Sequence, residues 1–187
     1  MSKEELTGIM QELKTHVTII GVFVAIFWIL EIVFGPHLDF LGITPRNLTG
    51  LRGIIFAPFL HGNLPHLIAN TLPFIILAWF VMLQDTKDFF FVTIMTMLVG
   101  GLGVWLTAPT GSLTIGASIL IFGYLGFLLF RGYFQKNFPS ILLSFIVFFL
   151  YGGLIWGILP SNPMISWQGH LFGFLAGVWA AKIISKK

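Results

Sequence analysis

Four polar residues interrupt otherwise apolar stretches of this chain and have the side chains needed for acyl transfer. His66 and Asn70 are four residues apart and share one face of a helix, while Ser118 and His170 each lie near the start of a later apolar stretch. A serine beside a histidine can act as nucleophile and general base toward a carbonyl carbon. Amide and imidazole N–H groups can stabilise the oxyanion that forms. The four residues therefore predict a hydrolytic site if the fold brings them together.

Each of these residues also has a structural interpretation. A serine in an apolar helix usually donates to its own i−4 carbonyl, which is a strong alternative for Ser118 alone and a stronger one for Ser144. Polar side chains at equal depth can also simply hold helices together. Metal binding is a weaker alternative, because His61 and His66 would stand about 140° apart on a helix. No carboxylate or thiolate lies nearby in the sequence to complete a metal site.

The composition places these residues in a membrane protein. The chain has 187 residues, of which 57% are hydrophobic and 9% are charged, whereas soluble domains carry about 25% charged residues. So few charges cannot cover so much apolar surface in water, and disorder requires the opposite composition. The absence of Cys excludes disulfides and thiol catalysis. We therefore expect an all-α membrane protein.

Six stretches are long enough to span a bilayer, which takes about 20 apolar residues. The first stretch follows a mixed-charge leader without a cleavage site, so we expect it to remain as an anchor. In the long connection 35–64, Leu48, Leu51 and Ile55 recur at helical spacing, which predicts a segment lying in the membrane interface. The predicted spans are 17–34, 65–83, 89–106, 114–130, 140–159 and 167–184.

Basic residues predict the orientation. With six spans both termini lie on one side, and the excess of Lys and Arg marks the cytoplasm. We expect cytoplasmic segments 1–16 and 185–187 around a membrane domain of residues 17–184, in a plasma membrane of the bacterial type. Only Arg46 and Arg52 fall on the outer side, and the terminal side holds Lys3, Lys14, Lys87, Arg131, Lys136, Lys182, Lys186 and Lys187.

The topology also predicts that the four polar residues meet. The second, fourth and sixth spans run in the same direction, so their first turns lie within about 10 Å of the outer boundary. In the sixth span, Gly169, Gly173 and Gly177 form a ridge of small residues that allows close approach of a neighbouring helix. His170 then faces that neighbour.

Three motifs in these spans resemble those of the rhomboid intramembrane serine proteases. Residues 59–70 are similar to the second-helix motif, in which one His precedes a His-x-x-x-Asn sequence. Residues 116–118, Gly-Ala-Ser, resemble the start of the Gly-x-Ser-Gly motif. Residues 169–177 resemble the sixth-helix His-x-x-Gly-x-x-x-Gly motif, and residues 151–167 are similar to the segment before it. The motifs occur in family order and cover nearly the whole chain.

The resemblance implies a rhomboid-like bundle of six transmembrane helices with a long interfacial first loop. It implies Ser118 as nucleophile and His170 as general base, forming a dyad without a carboxylate. His66, Asn70 and the backbone N–H of Ser118 would bind the oxyanion. Single-pass transmembrane proteins in the lipid bilayer would be the substrates, with no cofactor, no metal and no nucleic acid involved. The oligomeric state is left open.

The same resemblance implies supporting roles for further residues. His61 would support the neighbouring loop, and Phe122 would stack on the catalytic histidine in place of the family's Tyr. Small residues would allow the close backbone contacts. These small residues are Gly116, Gly123, Gly169, Gly173 and Gly177.

Departures from the family pattern keep an alternative open. Ile119 replaces the Gly that follows the nucleophile, and its bulk is expected to lengthen the distance from Ser118 to His170 unless the glycine ridge absorbs it. Leu51-Arg52 stands where the family commonly has Trp-Arg. The alternative function is a catalytically impaired pseudoprotease that binds transmembrane segments. A small transporter or channel gains little support, since no span is plainly broken at mid-membrane.

Overall fold

Helices account for almost all of the ordered backbone. The computed structural model describes residues 2–162 and 165–186, so Lys187, one of the basic residues assigned to the terminal side, lies outside the described part. That part is helical and contains no strand beyond one isolated bridge. Its α-helices are α1 (Lys3–Phe34), α2 (Gly53–Phe56), α3 (Leu64–Met82), α4 (Thr86–Met95), α5 (Gly101–Thr107), α6 (Ser118–Gln135), α7 (Phe138–Tyr151) and α8 (Trp167–Ile184).

The all-α membrane bundle predicted from the sequence is confirmed. Within the described residues, five helical stretches are long and apolar enough to cross a membrane: Lys3–Leu41, Leu64–Met82, Thr86–Thr107, Ser118–Gln135 and Phe138–Ile158. The sixth predicted span coincides with α8, which is as long as α6. Its sequence is less apolar, with buried Gln168 and His170 among its glycines. Both side chains are buried within the bundle, and His170 packs against Phe122 of α6.

Helix α1 starts far before the predicted span at residue 17. Ser2 and Glu5 form a capping box, in which each side chain accepts a hydrogen bond from the other residue's backbone N–H. This satisfies N–H groups that a helix start otherwise leaves unpaired. The helix therefore extends continuously from Lys3 through the span.

Helix α6 begins later than predicted, and the difference sets the position of Ser118. The prediction of a helix from residue 114 is wrong, because Thr114 pairs with Ile43 of the first loop through two backbone hydrogen bonds of 3.0 Å. Gly116 follows with φ +119°, a conformation that L side chains rarely adopt. The helix can start only after this turn, so Ser118 is its first residue.

Caps define the ends of the remaining spans. Asn63 caps α3 by accepting from the N–H of His66, and Ser166 caps α8 by accepting from the N–H of Gly169. Asn137 caps α7 ahead of the span predicted from residue 140, and its side chain accepts from the N–H of Ser140. Asn is among the strongest N-cap residues, so the start moves upstream.

The long first loop is largely helical and is fastened to the bundle. A 3₁₀ turn at Leu48–Arg52, α2 and a 3₁₀ turn at Ala57–Phe59 form a short apolar helical segment where the spacing predicts one. Arg46 donates to the carbonyls of Leu106 and Ala108 at the end of α5, at 3.1 and 2.9 Å. This guanidinium satisfies carbonyls that a helix end leaves unpaired.

The closest helix contact joins α6 and α8. A Cβ on Gly173 or Gly177 would collide with the carbonyl oxygen of Ile119 or Gly123, and one on Gly126 would collide with that of Phe174. Only glycine allows backbones to approach this closely. Gly169 lies on a different face, beside Ser166 and Val104 of α5. Only Gly173 and Gly177 of the predicted ridge therefore face α6. Gly126 of α6 adds a third close backbone contact between the two helices.

Candidate active site

A cavity of about 500 Å³ lies between the first turns of α3, α6 and α8. Its walls include His66, Asn70, Ser118 and His170, the four residues singled out for chemistry. His170 and Asn70 are buried, whereas Ser118 and His66 are partly accessible. Three separate helices thus bring a hydroxyl, two imidazoles and an amide to the wall of one cavity.

His170 is held by two contacts that fix its orientation and tautomer. Its Nδ1 lies 2.9 Å from the carbonyl oxygen of Gly157, in the 3₁₀ segment Gly152–Ile158. A carbonyl only accepts, so Nδ1 carries the proton and Nε2 has the lone pair. The ring stacks on Phe122, with centroids 4.0 Å apart and planes 9° apart. In a triad a carboxylate holds the base in this way, and here a backbone carbonyl does so.

Gly116 brings His66 close to Ser118. A Cβ on Gly116 would lie 2.7 Å from Nε2 of His66 and 3.8 Å from Oγ of Ser118, so the imidazole occupies the space that any side chain would need. The N–H of Gly116 donates to the carbonyl of Ala57 at 2.9 Å, which fastens this turn to the first loop. The glycine at this position is therefore required both by its φ and by the neighbouring imidazole.

Donors for an oxyanion surround Ser118. As the first residue of α6, Ser118 presents a backbone N–H that has no acceptor within the helix. Asn70 donates one amide N–H to the carbonyl of His66 at 2.9 Å, and its side chain carries a second. The positive end of the α6 dipole adds to this field. An oxygen that gains negative charge beside Ser118 would be stabilised here.

Ile119 is accommodated without separating α6 from α8. Its side chain points toward Gly100, where an added Cβ would lie 3.0 Å from Cδ1 of Ile119. Gly100 ends a π-helical turn, Thr96–Gly100, between α4 and α5. The backbones of Ile119 and Gly173 remain in close contact. A glycine of another helical segment, together with the ridge on α8, thus makes room for the added bulk.

His61 lies behind His66 and not among hydrogen-bonding loop groups. Both of its ring nitrogens are buried and have no hydrogen-bond partner among the described residues. The ring packs edge-on against His66 at 5.2 Å and against Phe27 of α1 at 5.5 Å. Burial, with a smaller contribution from the neighbouring His66, lowers the pKa of His61 to about 3. The residue therefore supports His66 as a neutral, space-filling ring.

Two residues at the site escape prediction from the sequence. Gly157 holds His170 through a backbone carbonyl, which has no signature in the sequence. Gly100 makes room for Ile119, but it lies nineteen positions earlier, in another span. A pairing of a bulky residue with a distant glycine would emerge only from covariation between these positions.

Comparison with known proteins identifies a family whose model matches most of the chain. The family model described as the Rhomboid domain matches residues 49–187. Uncharacterized proteins of Mycobacterium bovis and Mycobacterium tuberculosis are each 42% identical over 179 residues, covering 90% of this chain and 75% of their own length. An uncharacterized protein of Mycobacterium leprae is 39% identical over 174 residues, covering 87% of this chain and 69% of its own. The matched region contains all four cavity residues.

Proposed function

Because the chain belongs to the rhomboid family, we propose that it is an intramembrane serine protease with Ser118 as nucleophile and His170 as general base. One observation carries the proposal: Ser118, His170, His66 and Asn70, from three helices, line the same cavity. Membership of the family supports the reaction class, and the tautomer of His170 supports its role.

The proposed reaction assigns each group of the site one step. Nε2 of His170 takes the Ser118 hydroxyl proton as Oγ attacks the scissile carbonyl carbon, and the imidazolium then protonates the leaving amine. The Ser118 N–H, His66 and Asn70 stabilise the oxyanion of the tetrahedral intermediate. Water then hydrolyses the acyl-enzyme with His170 as base. Gly157 accepts from Nδ1 throughout and stabilises the imidazolium.

Substrates of this site are transmembrane helices. A helix hides its carbonyls in i to i−4 hydrogen bonds, so a segment must unwind before Ser118 can attack it. Gly, Pro or small residues near the scissile bond lower the cost of unwinding. A second cavity of about 340 Å³ shares Ile165 and Ser166 with the first, and we propose it as the entry route for water. Single-pass membrane proteins with a labile helix fit these requirements.

The orientation of the chain is part of the proposal. The protein is an integral multi-pass membrane protein. We place the segments 1–16 and 185–187 in the cytoplasm and the membrane domain, 17–184, in a plasma membrane of the bacterial type. The catalytic cavity then opens near the outer face.

The test is cleavage of a reconstituted substrate. The protein is placed in liposomes with a single-pass substrate whose helix contains a Gly-Pro pair, and products are separated by electrophoresis. Cleavage by the wild type and its loss in Ser118→Ala and His170→Ala are expected, because either change removes half of the dyad. Ser185→Ala, at the end of α8, is the matched control and should cleave normally. Cleavage that persists in Ser118→Ala would refute the proposal.

A pseudoprotease that binds transmembrane segments is the second candidate, motivated by Ile119. Its discriminating variant is Ile119→Gly, which restores the residue commonly found in the family at this position. The space left by the missing side chain of Gly100 already accommodates Ile119, so we expect little gain in cleavage. A large rise from almost no activity would favour the pseudoprotease.

A further inference from the structure

An apolar groove of about 700 Å³ runs between α6 and α7, away from the catalytic cavity. Phe130 of α6 and Ile141, Phe145 and Phe148 of α7 line its walls, and each of these side chains is between 38% and 60% exposed. Both helices are long and apolar enough to lie in a membrane. The groove is therefore open to the lipid phase along its length.

Its floor offers no unpaired polar group. Gly132 donates its N–H to Oγ of Ser144 at 3.1 Å, and that hydroxyl donates to the carbonyl of Leu128 at 2.6 Å. A Cβ on Gly132 would lie 2.7 Å from the same hydroxyl, so α6 and α7 touch here. Because both polar partners are satisfied, an occupant finds no free hydrogen-bonding group at this point of the floor.

A cation and a phenol stand at one end of the groove. Lys136 ends α6 with φ +57°, and Tyr133, 71% exposed, lies one turn earlier. Within the described residues neither salt bridge involves Lys136. Tyr and Lys concentrate at the boundary between hydrocarbon and headgroups. This end therefore has the chemistry that complements an anionic headgroup.

The other end lies deep in the hydrocarbon. From Ile141 to Phe148 the α7 wall rises by about 10 Å along the helix axis. Ile155, in the 3₁₀ segment Gly152–Ile158, continues the lining farther from Lys136. A long apolar wall with a single cation at its mouth matches an acyl chain attached to a phosphate.

We propose that this groove binds an anionic phospholipid, with its phosphate at Lys136 and one acyl chain along Phe145 and Phe148. Charge complementarity at Lys136 distinguishes this occupant from a second copy of the chain or a substrate helix. The site is separate from the proteolytic site, so it does not depend on the proposed catalytic function.

The test is photocrosslinking in nanodiscs. The purified protein is reconstituted with phosphatidylglycerol or phosphatidylcholine that carries a diazirine on one acyl chain, and crosslinked residues are located by peptide mass spectrometry. We expect crosslinks concentrated in residues 129–155, with phosphatidylglycerol favoured over phosphatidylcholine. A single lysine near an anionic headgroup supports a preference of about fivefold.

Two variants with matched controls separate headgroup from groove. Lys136→Gln should remove the fivefold preference, whereas Lys182→Gln, an exposed lysine in the last turn of α8, should keep it. Ile141→Trp should fill the groove and reduce crosslinking several-fold. Leu142→Trp, at an exposed neighbour outside the groove lining, should leave crosslinking unchanged. Thermal unfolding shows that each variant is folded.

Three results would overturn the proposal. The first is equal labelling by the two lipids, and the second is labelling spread evenly over all lipid-facing helices. The third is a crosslink between two copies of the chain at residues 141–148 that excludes lipid, which would assign the groove to a dimer interface.

Discussion

The orientation of His170 depends on Phe122 as well as on Gly157. The stacked rings restrict rotation of the imidazole, and the para carbon of Phe122 faces Gly157, where a Cβ would lie 2.8 Å away. The carbonyl, the imidazole and the phenyl ring thus pack as one unit. A glycine at 157 leaves room for both rings.

Replacing Phe122 tests this unit. Phe122→Leu keeps the position apolar but removes the stacking, so we expect kcat to fall about three- to tenfold, in line with the energy of an aromatic pair. KM should change less, because the hydrogen bond from Nδ1 of His170 to the carbonyl of Gly157 remains. Substrate titration of the reconstituted enzyme measures both constants. Phe134→Leu, on the same helix far from the cavity, is the control, and an equal loss in both variants would contradict the role of stacking.

His61 makes the fold sensitive to acid. Burial lowers its pKa to about 3, whereas the unfolded chain binds a proton at this residue below about pH 6.5. Between these values the unfolded state holds more protons, so stability falls as the pH falls. The loss is about 1.4 kcal/mol per pH unit.

Substituting His61 should reduce this sensitivity. His61→Phe keeps a ring against Phe27 and His66 but cannot be protonated. We expect the drop in Tm between pH 7 and pH 4.5 to be clearly smaller in His61→Phe than in the wild type, as followed by thermal unfolding in detergent. His37→Phe, at an exposed histidine, should keep the full drop. Parallel curves for wild type and His61→Phe would exclude this effect.

Among the helices, the close contact between α6 and α8 depends on the neighbouring π turn Thr96–Gly100. Gly173 and Gly177 bring the backbones together, and Gly100 in the π turn receives the side chain of Ile119. The side chain of Ile119 thus packs against a third helical segment, the π turn between α4 and α5.

The pairing of Ile119 with Gly100 predicts a specific coupling. Gly100→Ala should destabilise the protein by about 1–3 kcal/mol, because the added methyl crowds a buried isoleucine. The same change in an Ile119→Ala background should cost little, and the difference appears as a coupling energy in a double-mutant cycle of unfolding. Gly21→Ala, whose Cβ meets nothing within 4 Å, is the control. Additive effects of the two substitutions would disprove the pairing.

At the scale of the whole molecule, the end opposite the catalytic cavity is held by charges. Arg131 and Asp88 are buried and form an ion pair at 2.5 Å, and Arg131 also donates to Gln135. The hydroxyl of Ser140, at the start of α7, lies 2.5 Å from Oε1 of Gln135 and 2.9 Å from Oε1 of Gln84, and its one proton can be donated to either oxygen. Arg131, one of the basic residues used for orientation, therefore links α4 to α6 and is unavailable to lipid headgroups.

The orientation gives a prediction for the entire chain. The lysines of the terminal side predict that both termini lie in the cytoplasm. Green fluorescent protein fused after residue 187 should therefore fluoresce in bacterial cells. Alkaline phosphatase fused after residue 46 should be active and fused after residue 136 inactive, because only the exported enzyme folds with its disulfides. The reverse pattern would place the termini outside and the catalytic cavity near the cytoplasm.

The membrane class, the approximate helix locations and the four residues around which a site is built can all be predicted from the sequence. These features are encoded locally: apolar length defines a span, and spacing defines which residues share a helix face. Helix starts followed less well, because Thr114 pairs with Ile43 of a distant loop and Asn137 caps α7 ahead of the predicted start. Local preference is a weak guide where tertiary partners compete for the same backbone groups.

How the site tolerates Ile119 and what holds His170 depend on tertiary packing. The first depends on Gly100 and the second on the carbonyl of Gly157, and both contacts join residues from different helices. A backbone carbonyl is present at every position, so the sequence does not mark the one that accepts from His170. A glycine that makes room for a distant side chain likewise looks like any other glycine in the sequence. Such contacts exist only when separate helices pack at a fixed distance, so a single sequence cannot specify them locally.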